Sequence, residues 1–136
     1  MSFLVDTNVV SELRKGRRAN PNVRSWFESV DDAEVYLSVL VIGELRQGVE
    51  SLRRRDPASA AQLDRWLHEL VAMHAKRVLP VDAAIADRWG RLGIPDPISA
   101  VDGMLAATAL VHSLTLVTRN VRHVQRTGVR HVDPFA

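Results

Sequence analysis

The chain has 136 residues, enough for one domain that buries roughly two thirds of its unfolded surface without cross-links. It contains no cysteine, so disulfides, thiolate zinc sites and cysteine nucleophiles are excluded. No apolar run approaches the roughly 18 residues of a membrane span, and no segment has the form of a signal peptide. We therefore expect one domain over residues 1–136, in a cytoplasmic protein without a membrane partner.

The basic residues point to a nucleic-acid partner. The net charge is only +2, but the sequence pI is about 9.7 because every basic residue except Lys15 and Lys76 is arginine. Arginine binds phosphate through two parallel hydrogen bonds and never deprotonates. The basic residues cluster within residues 14–18, 53–55 and 119–130. For residues 53–55 alone, a solvated helix surface is an equally good interpretation.

Short apolar strands alternate with helices of 3.6-residue apolar spacing along the whole chain. In chain order the predicted elements are a strand at residues 3–5, a helix ended by Gly16, a helix opened by Asn20 and Pro21, a strand at 34–39, a helix through 45–52, a helix from Asp56 and Pro57 to His74, a strand or extended link at 78–81, a helix from Asp82 to Gly93, a buried helix at 98–112, and strands at 114–117 and 129–132. This alternation predicts an α/β domain with a mainly parallel central sheet flanked by helices.

Three carboxylates lie in apolar surroundings within this pattern. Asp6 follows the first strand, Glu44 lies on the helix after the second strand, and Asp102 opens the buried helix. Burying an ionised carboxylate is costly unless it is paired or binds a metal. The ligand crevice of an open parallel sheet lies beyond the carboxyl ends of its strands, where Asp6 would project. A shared divalent cation is therefore the working hypothesis.

Each acid also has a purely structural interpretation. Asp6 is an ordinary cap for the helix that follows it. Glu44 is compatible with a solvated helix position, although the small Gly48 on the same helical edge would let a neighbour approach closely. Ser99 and Asp102 form an S-x-x-D capping box. Capping and metal binding are compatible for Asp102, since each needs only one carboxylate oxygen.

Other common site chemistries lack their motifs. The histidines have no HExxH or Cys/His spacing, so we interpret them as surface or helix-edge residues and do not expect zinc; they are His68, His74, His112, His123 and His131. No phosphate-binding glycine loop and no G-x-S-x-G nucleophile motif occurs.

Four blocks together resemble the PIN-domain ribonucleases, specifically the VapC-type toxins of bacterial toxin–antitoxin pairs. They share the family's order and spacing across nearly the whole chain, and they are LVDTNVVSEL at residues 4–13, SVLVIGEL at 38–45, DGMLAATA at 102–109 and LVTRN at 116–120. The resemblance implies a PIN-like α/β fold. It also implies that Asp6 and Asp102 bind magnesium and that Glu44 completes the acidic pocket.

The resemblance assigns supporting roles as well. Thr7 and Asn8 match residues that orient the first aspartate, while Ser38 and Asn120 match polar positions at the rim of the pocket. Relatives often carry a fourth acid in the segment that matches residues 118–124, where this chain offers only candidates such as Asn120 and His123. That departure leaves open whether one or two metal ions bind.

The activity implied is a Mg²⁺-dependent endoribonuclease toxin, with Mn²⁺ able to substitute, acting on single-stranded or looped RNA. Flanking basic side chains must offset the repulsion between the acids and the phosphate backbone. The candidates are Arg14, Lys15, Arg17, Arg18 and Arg119. A homodimer and a VapB-type antitoxin that forms a hetero-oligomer with the toxin are the implied protein partners.

Two other functions remain open from the sequence. A catalytically weak PIN-like scaffold that binds RNA or protein fits the missing fourth acid. A phosphatase that uses Asp6 as a covalent nucleophile is the third hypothesis. That chemistry usually has a second aspartate two residues later, where this chain has Asn8.

Overall fold

The structure is a computed structural model that describes residues 1–136. Its centre is a five-stranded sheet in the order β3-β2-β1-β4-β5. The strands share parallel pairing throughout, and they are β1 (Phe3–Val5), β2 (Val35–Ser38), β3 (Val78–Leu79), β4 (Thr115–Val117) and β5 (His131–Val132). The predicted α/β class with a parallel central sheet is therefore confirmed.

Seven α-helices connect and cover the strands. They are α1 (Thr7–Leu13), α2 (Pro21–Ser29), α3 (Val39–Arg53), α4 (Pro57–Met73), α5 (Ala83–Leu92), α6 (Ala100–His112) and α7 (Val121–Val124). Short 3₁₀ turns cover Gly16–Arg18, Asp32–Glu34, Ala75–Arg77 and Gln125–Thr127. No helix is long and apolar enough to cross a membrane.

Side-chain caps fix where several helices begin. The Asn20 side chain accepts hydrogen bonds from two backbone amides of the first turn of α2, and Pro21 occupies the first position, where no amide is needed. Asp56 and Asp82 cap α4 and α5 in the same manner. The helix starts predicted at these three residues are therefore confirmed.

Some predicted boundaries were wrong. The first helix ends at Leu13, and Gly16 begins a 3₁₀ turn with a left-handed φ of 55°. Val39, predicted as the end of a strand, is the first residue of α3 because the Ser38 side chain accepts a bond from the amide of Leu40. The helix α7 was not predicted, since four residues are too few to display an apolar period.

The core lies between the sheet and the helices on its two faces. Leu4 and Val5 of β1 are fully buried, as are Leu116 and Val117 of the adjacent β4 to within 1% exposure. Such continuous apolar runs are typical of parallel strands covered on both faces. The helix α6 packs Ala106 and Ala109, both fully buried, into the same core. Consequently the polar residues that follow β1 and β4 are placed by the best-packed part of the molecule.

Candidate active site

The strand order places a ligand crevice at the carboxyl ends of β1 and β4. The chain runs from β1 outward through β2 to β3 and then returns to the other side of β1 for β4 and β5. Connections leaving β1 and β4 therefore turn to opposite sides, and ligands bind at this kind of switch point in open parallel sheets. Asp6 is the first residue after β1, and Thr118 is the first after β4.

Asp6 is a buried carboxylate held at both of its oxygens. The residue is 6% exposed. Its Oδ1 accepts a hydrogen bond of 2.7 Å from the Thr7 backbone N–H, and its Oδ2 accepts one of 2.7 Å from Thr118 Oγ1. The first contact makes Asp6 the cap of α1. The structural interpretation of Asp6 is thus correct as far as it goes, but the cap occupies one lone pair of one oxygen and leaves acceptor capacity on both.

The pKa of Asp6 is raised above its ordinary value of 3.8, chiefly because burial removes water from the charged form. Hydrogen bonds from Thr118 and Thr7 oppose the shift, whereas the negative charges of Asp102 and Glu44 add to it. Asp102 and Glu44 therefore lie near enough to Asp6 to act on it electrostatically. Relief of this repulsion is what a shared cation would supply.

Glu44 joins the same group through Thr7. It lies on α3 and is partly buried. Its Oε1 accepts a hydrogen bond of 2.6 Å from Thr7 Oγ1. Thr7 thus contacts Asp6 through its backbone N–H and Glu44 through its hydroxyl. Gly48, expected to allow close approach on this helix, has open space where a Cβ would stand, so that expectation was wrong.

Asp102 is the third residue of α6 and is oriented by its side-chain partners. Its Oδ2 accepts a 2.9 Å hydrogen bond from Ser99 Oγ and lies 2.9 Å from His123 Nδ1. Ser99 makes no capping hydrogen bond to the α6 backbone. The S-x-x-D sequence thus forms a side-chain contact here in place of a capping box, and one oxygen of Asp102 has no hydrogen-bond partner within the chain.

The acidic group lacks a strong positive partner. No lysine or arginine forms an ion pair with Asp6, Glu44 or Asp102, and only His123 lies beside one of them. The side chains also do not converge tightly, since no three His, Asp or Glu residues form a ready-made metal cage. This looser arrangement suits an ion that keeps several waters and takes only one or two protein carboxylates.

Of the predicted supporting residues, Thr7 contacts Asp6 directly, whereas Asn8 and Ser38 make other contacts. Asn8 was predicted to orient Asp6, but its Oδ1 accepts from the Arg119 backbone N–H at 3.4 Å. Ser38 was predicted at the rim, yet it is fully buried as the cap of α3. The Asn120 backbone N–H donates to Thr118 Oγ1 over 3.0 Å, which supports the hydroxyl that holds Asp6.

Two residues that hold the carboxylates were not assigned by sequence reasoning. Thr118 is fully buried against Asp6, and His123 contacts Asp102 although it was interpreted as an ordinary surface residue. The signal available for Thr118 was its place directly after an apolar strand. His123 was named only as a candidate at the position of the missing fourth acid, and its contact with Asp102 depends on how α7 packs against α6.

The basic residues predicted to bind RNA lie in distinct surroundings. Arg14 lines a cleft together with Thr7 and Glu44, and Arg18 lines the adjoining groove with Arg14. Lys15 forms an ion pair of 2.7 Å with Glu12, and the Arg119 guanidinium lies 4.6 Å from the centre of the Phe135 ring. Arg17 is exposed in the 3₁₀ turn. Only Arg14 of the five therefore shares a cleft with an acid.

In the cluster at residues 53–55, Arg53 is engaged by acids of the chain and is not simply solvated. It bonds Glu50 and Asp64, and Arg46 bonds the same two acids. This network joins α3 to α4, so Arg53 is committed within the chain. Arg55 lies instead in the cleft that contains Glu44.

Comparison with known proteins agrees with this geometry. The family model for the PIN domain matches residues 3–128. Toxin FitB of Neisseria gonorrhoeae is 36% identical over 140 residues, covering 98% of each chain. VapC ribonuclease Y4jK of Sinorhizobium fredii is 30% identical over 98% of this chain and 97% of its own. A solved structure of FitAB bound to a DNA fragment superposes with a TM-score of 0.89 at 30% identity, covering 98% of this chain and 96% of that chain.

The matched residues include every element that builds the carboxylate site, from the Asp6 strand to the α7 turn beside Asp102. The chain therefore belongs to the PIN-domain family and is homologous to its VapC-type and FitB toxins.

Proposed function

We propose that this chain is a Mg²⁺-dependent endoribonuclease, with Mn²⁺ able to substitute, and that it acts as the toxin of a toxin–antitoxin pair. The observation that carries the proposal is Asp6, a buried carboxylate with no arginine or lysine partner whose pKa is raised by burial and by the charges of Asp102 and Glu44. The ribonuclease name of one homologue and the toxin name of another support the same activity.

The donor set fits a hard divalent cation. Asp6, Glu44 and Asp102 offer only oxygen, which Mg²⁺ and Mn²⁺ prefer, and each keeps acceptor capacity beyond its hydrogen bonds. When bound, such an ion lowers the pKa of a water for attack on phosphorus and neutralises charge on the phosphoryl oxygens. The residues of the chain would hold that ion and orient the RNA phosphate.

The remaining residues keep the carboxylates in place. Thr118 and the Thr7 backbone fix both oxygens of Asp6, while the Thr7 hydroxyl fixes Glu44. Ser99 and His123 fix one oxygen of Asp102 and leave the other for the ion. Partners of this kind set the orientation of metal ligands and commonly change metal affinity by roughly 10- to 100-fold.

A direct test is cleavage of a cellular RNA pool by antitoxin-free protein, with Mg²⁺ or Mn²⁺ and with EDTA. We expect discrete cuts that require metal and disappear in Asp6→Ala and Asp102→Ala, both shown to be folded by circular dichroism. Metal-dependent cleavage that persists in both variants would contradict the proposal, because each removes a carboxylate assigned to the ion.

A binding scaffold of low activity is the second candidate, favoured by the absence of a fourth acid and of a tight three-ligand cage. Turnover no greater than that of the Asp6→Ala, Glu44→Ala, Asp102→Ala triple variant would support this candidate over the nuclease. The phosphatase hypothesis has less support, since Asp6 is only 6% exposed and both of its oxygens accept hydrogen bonds.

The protein partners that we propose are a second copy of the chain and a VapB-type antitoxin. An apolar cavity of about 280 Å³ offers a protein-binding surface, with Trp66 in its lining and the exposed Leu13 and Met73 at its edge. Sedimentation of antitoxin-free protein tests the homodimer, and co-expression with a candidate VapB-type antitoxin tests the antitoxin. A monomer at all concentrations, or no co-purified partner, would contradict the respective proposal.

A further inference from the structure

Two arginine-lined clefts each contain one of the three site carboxylates. The first, which we call the Asp102 cleft, has a volume of about 370 Å³ and is lined by Asp102, Ser99, His123, Arg122 and Arg126 among others. The second, the Glu44 cleft, has a volume of about 320 Å³ and includes Thr7, Glu44, Arg14 and Arg55 in its lining. Each cleft therefore has one candidate metal ligand and two arginines in its lining.

In the Asp102 cleft, the two arginines differ in how they are held. Arg126 Nη2 donates a hydrogen bond of 2.6 Å to the Pro97 carbonyl, and its Nη1 lies 3.8 Å from Asp96 Oδ2. Arg126 therefore ties the segment after α7 to the loop before α6 and forms a wall of the cleft. Arg122 is exposed and has no hydrogen-bond or ion-pair partner in the chain, so its full set of donors is available.

In the Glu44 cleft, the guanidinium groups of both arginines are free to bind a ligand. Arg14 is the C-terminal cap residue of α1, and Arg55 follows the end of α3. Both side chains are exposed, and neither forms an ion pair. This contrasts with Arg53, whose guanidinium is engaged by Glu50 and Asp64. Within this cleft, Arg14 and Arg55 thus keep their guanidinium donors free of acidic partners.

The contacts of Asp6 and Thr7 connect the two clefts. The Thr7 hydroxyl donates to Glu44 in one cleft, and the Thr7 backbone N–H donates to Asp6. The negative charge of Asp102 in the other cleft raises the pKa of Asp6. Asp6 follows β1, which lies between β2 and β4, while Glu44 lies on the helix after β2 and Arg122 on the helix after β4. Arginine-containing clefts therefore lie to both sides of Asp6. A nucleic-acid strand matches this arrangement, because outer phosphates would meet arginine while a central phosphate meets a metal-loaded carboxylate group. A basic peptide would be attracted only at the centre and repelled on both sides.

We propose that these clefts are two phosphate-binding subsites that hold one RNA strand across the carboxylates, with Arg122 on one side and Arg14 and Arg55 on the other. The inference rests on the proposed nuclease function for its choice of ligand. Neither set of lining residues includes a phenylalanine, tyrosine or tryptophan on which a base would stack. Contacts between a guanidinium and a phosphate position the backbone and carry no information on base sequence.

The test measures binding of a short, labelled single-stranded RNA by fluorescence anisotropy, with EDTA present so that no metal-dependent cleavage occurs. Binding is followed over salt concentrations from about 50 to 200 mM for the wild type, Arg122→Gln and Arg14→Gln. We expect each variant to bind several-fold more weakly. Each should also lower the slope of log affinity against log salt by about 0.7, the value for one phosphate contact on a single strand.

Arg130→Gln is the matched control. Arg130 is exposed, and its Nη2 donates to the Ser113 carbonyl. It precedes β5 and its partner precedes β4, so it lies at the end of the sheet opposite the carboxylates. This variant makes the same charge change, and we expect wild-type affinity and slope. Circular dichroism melts establish that all three variants are folded.

The outcomes separate this proposal from the nuclease function. Weakened binding by the two cleft variants alone supports the subsites even if the wild type cleaves no RNA in Mg²⁺. Wild-type affinity and slope in either cleft variant would overturn the proposal even if cleavage is robust. Failure of the wild type to bind RNA would overturn it too. It would also fall if the variants lost antitoxin binding while RNA binding stayed unchanged.

Discussion

Thr118 Oγ1 donates a 2.7 Å hydrogen bond to Asp6 Oδ2, across 112 positions of sequence. The bond joins the carboxyl ends of the two central strands, since Asp6 follows β1 and Thr118 follows β4. The backbone strengthens the same junction, where the Asp6 N–H donates to the Val117 carbonyl over 2.9 Å. The buried carboxylate is therefore oriented by the sheet itself.

Thr118→Val is expected to destabilise the protein by about 1–3 kcal/mol, because the nearly isosteric valine leaves a buried carboxylate oxygen without its donor. The pKa of Asp6 should rise further, since the Thr118 bond lowers it. Denaturant unfolding measures the change. Thr115→Val is the control, because Thr115 Oγ1 is buried without any hydrogen-bond partner, and its loss should be neutral or stabilising. Equal effects of both substitutions would contradict the role assigned to Thr118.

Asp6→Asn is expected to change how stability depends on pH. The pKa of Asp6 is raised in the folded state above its ordinary value of 3.8, so the folded protein binds the proton more tightly than the unfolded chain. Stability from this group is therefore greatest at low pH and is lost as pH rises through the raised pKa. At neutral pH the metal-free variant should be more stable than the wild type, because the wild type pays for an ionised buried carboxylate.

The measurement is the difference in unfolding free energy between wild type and Asp6→Asn, in EDTA, from about pH 4 upward. Taking the difference cancels carboxylates whose pKa is lowered, such as Glu12 beside Lys15. Added Mg²⁺ or Mn²⁺ should stabilise the wild type more than the variant, since only binding to the folded state stabilises. A pH-independent difference would show that burial of Asp6 does not raise its pKa.

Much of this arrangement is encoded locally. The α/β class follows from alternating apolar runs, and Asp6, Glu44 and Asp102 stand out because each is an acid in an apolar segment. Thr7 was expected to orient Asp6 and does contact it, but two other orienting contacts were beyond sequence reasoning for a physical reason. Thr118 meets Asp6 only because β1 and β4 are neighbours in the sheet, and His123 meets Asp102 only because α7 folds back on α6. Similarly, the sequence does not show which arginines are free to bind phosphate, because ion pairs such as those of Arg53 with Glu50 and Asp64 are known only from the fold.

His123→Ala is expected to weaken Mn²⁺ binding by roughly 10-fold or more, since Asp102 would lose a partner that fixes its orientation. Manganese binding is measured by electron paramagnetic resonance of the free ion. His68→Ala is the matched control, because His68 is exposed and lies 3.0 Å from Asp64, a carboxylate outside the site. A wild-type affinity in His123→Ala would mean that Ser99 alone suffices to hold Asp102.

Gly103→Ala is expected to destabilise the protein by about 1–3 kcal/mol, because the added methyl group overpacks the contact between α5 and α6. Its Cβ would lie 2.6 Å from Trp89 Cδ1 and 2.9 Å from Ile98 Cγ2. The strain falls one residue after Asp102 and next to the loop that leads into α6, so metal affinity should decrease as well. Gly48→Ala is the control, since nothing lies within 4 Å of its added Cβ and alanine favours a helix by up to about 1 kcal/mol. Denaturant unfolding and manganese titration of the two variants measure both effects, and a Gly103→Ala protein as stable as Gly48→Ala would contradict the close packing of α5 on α6.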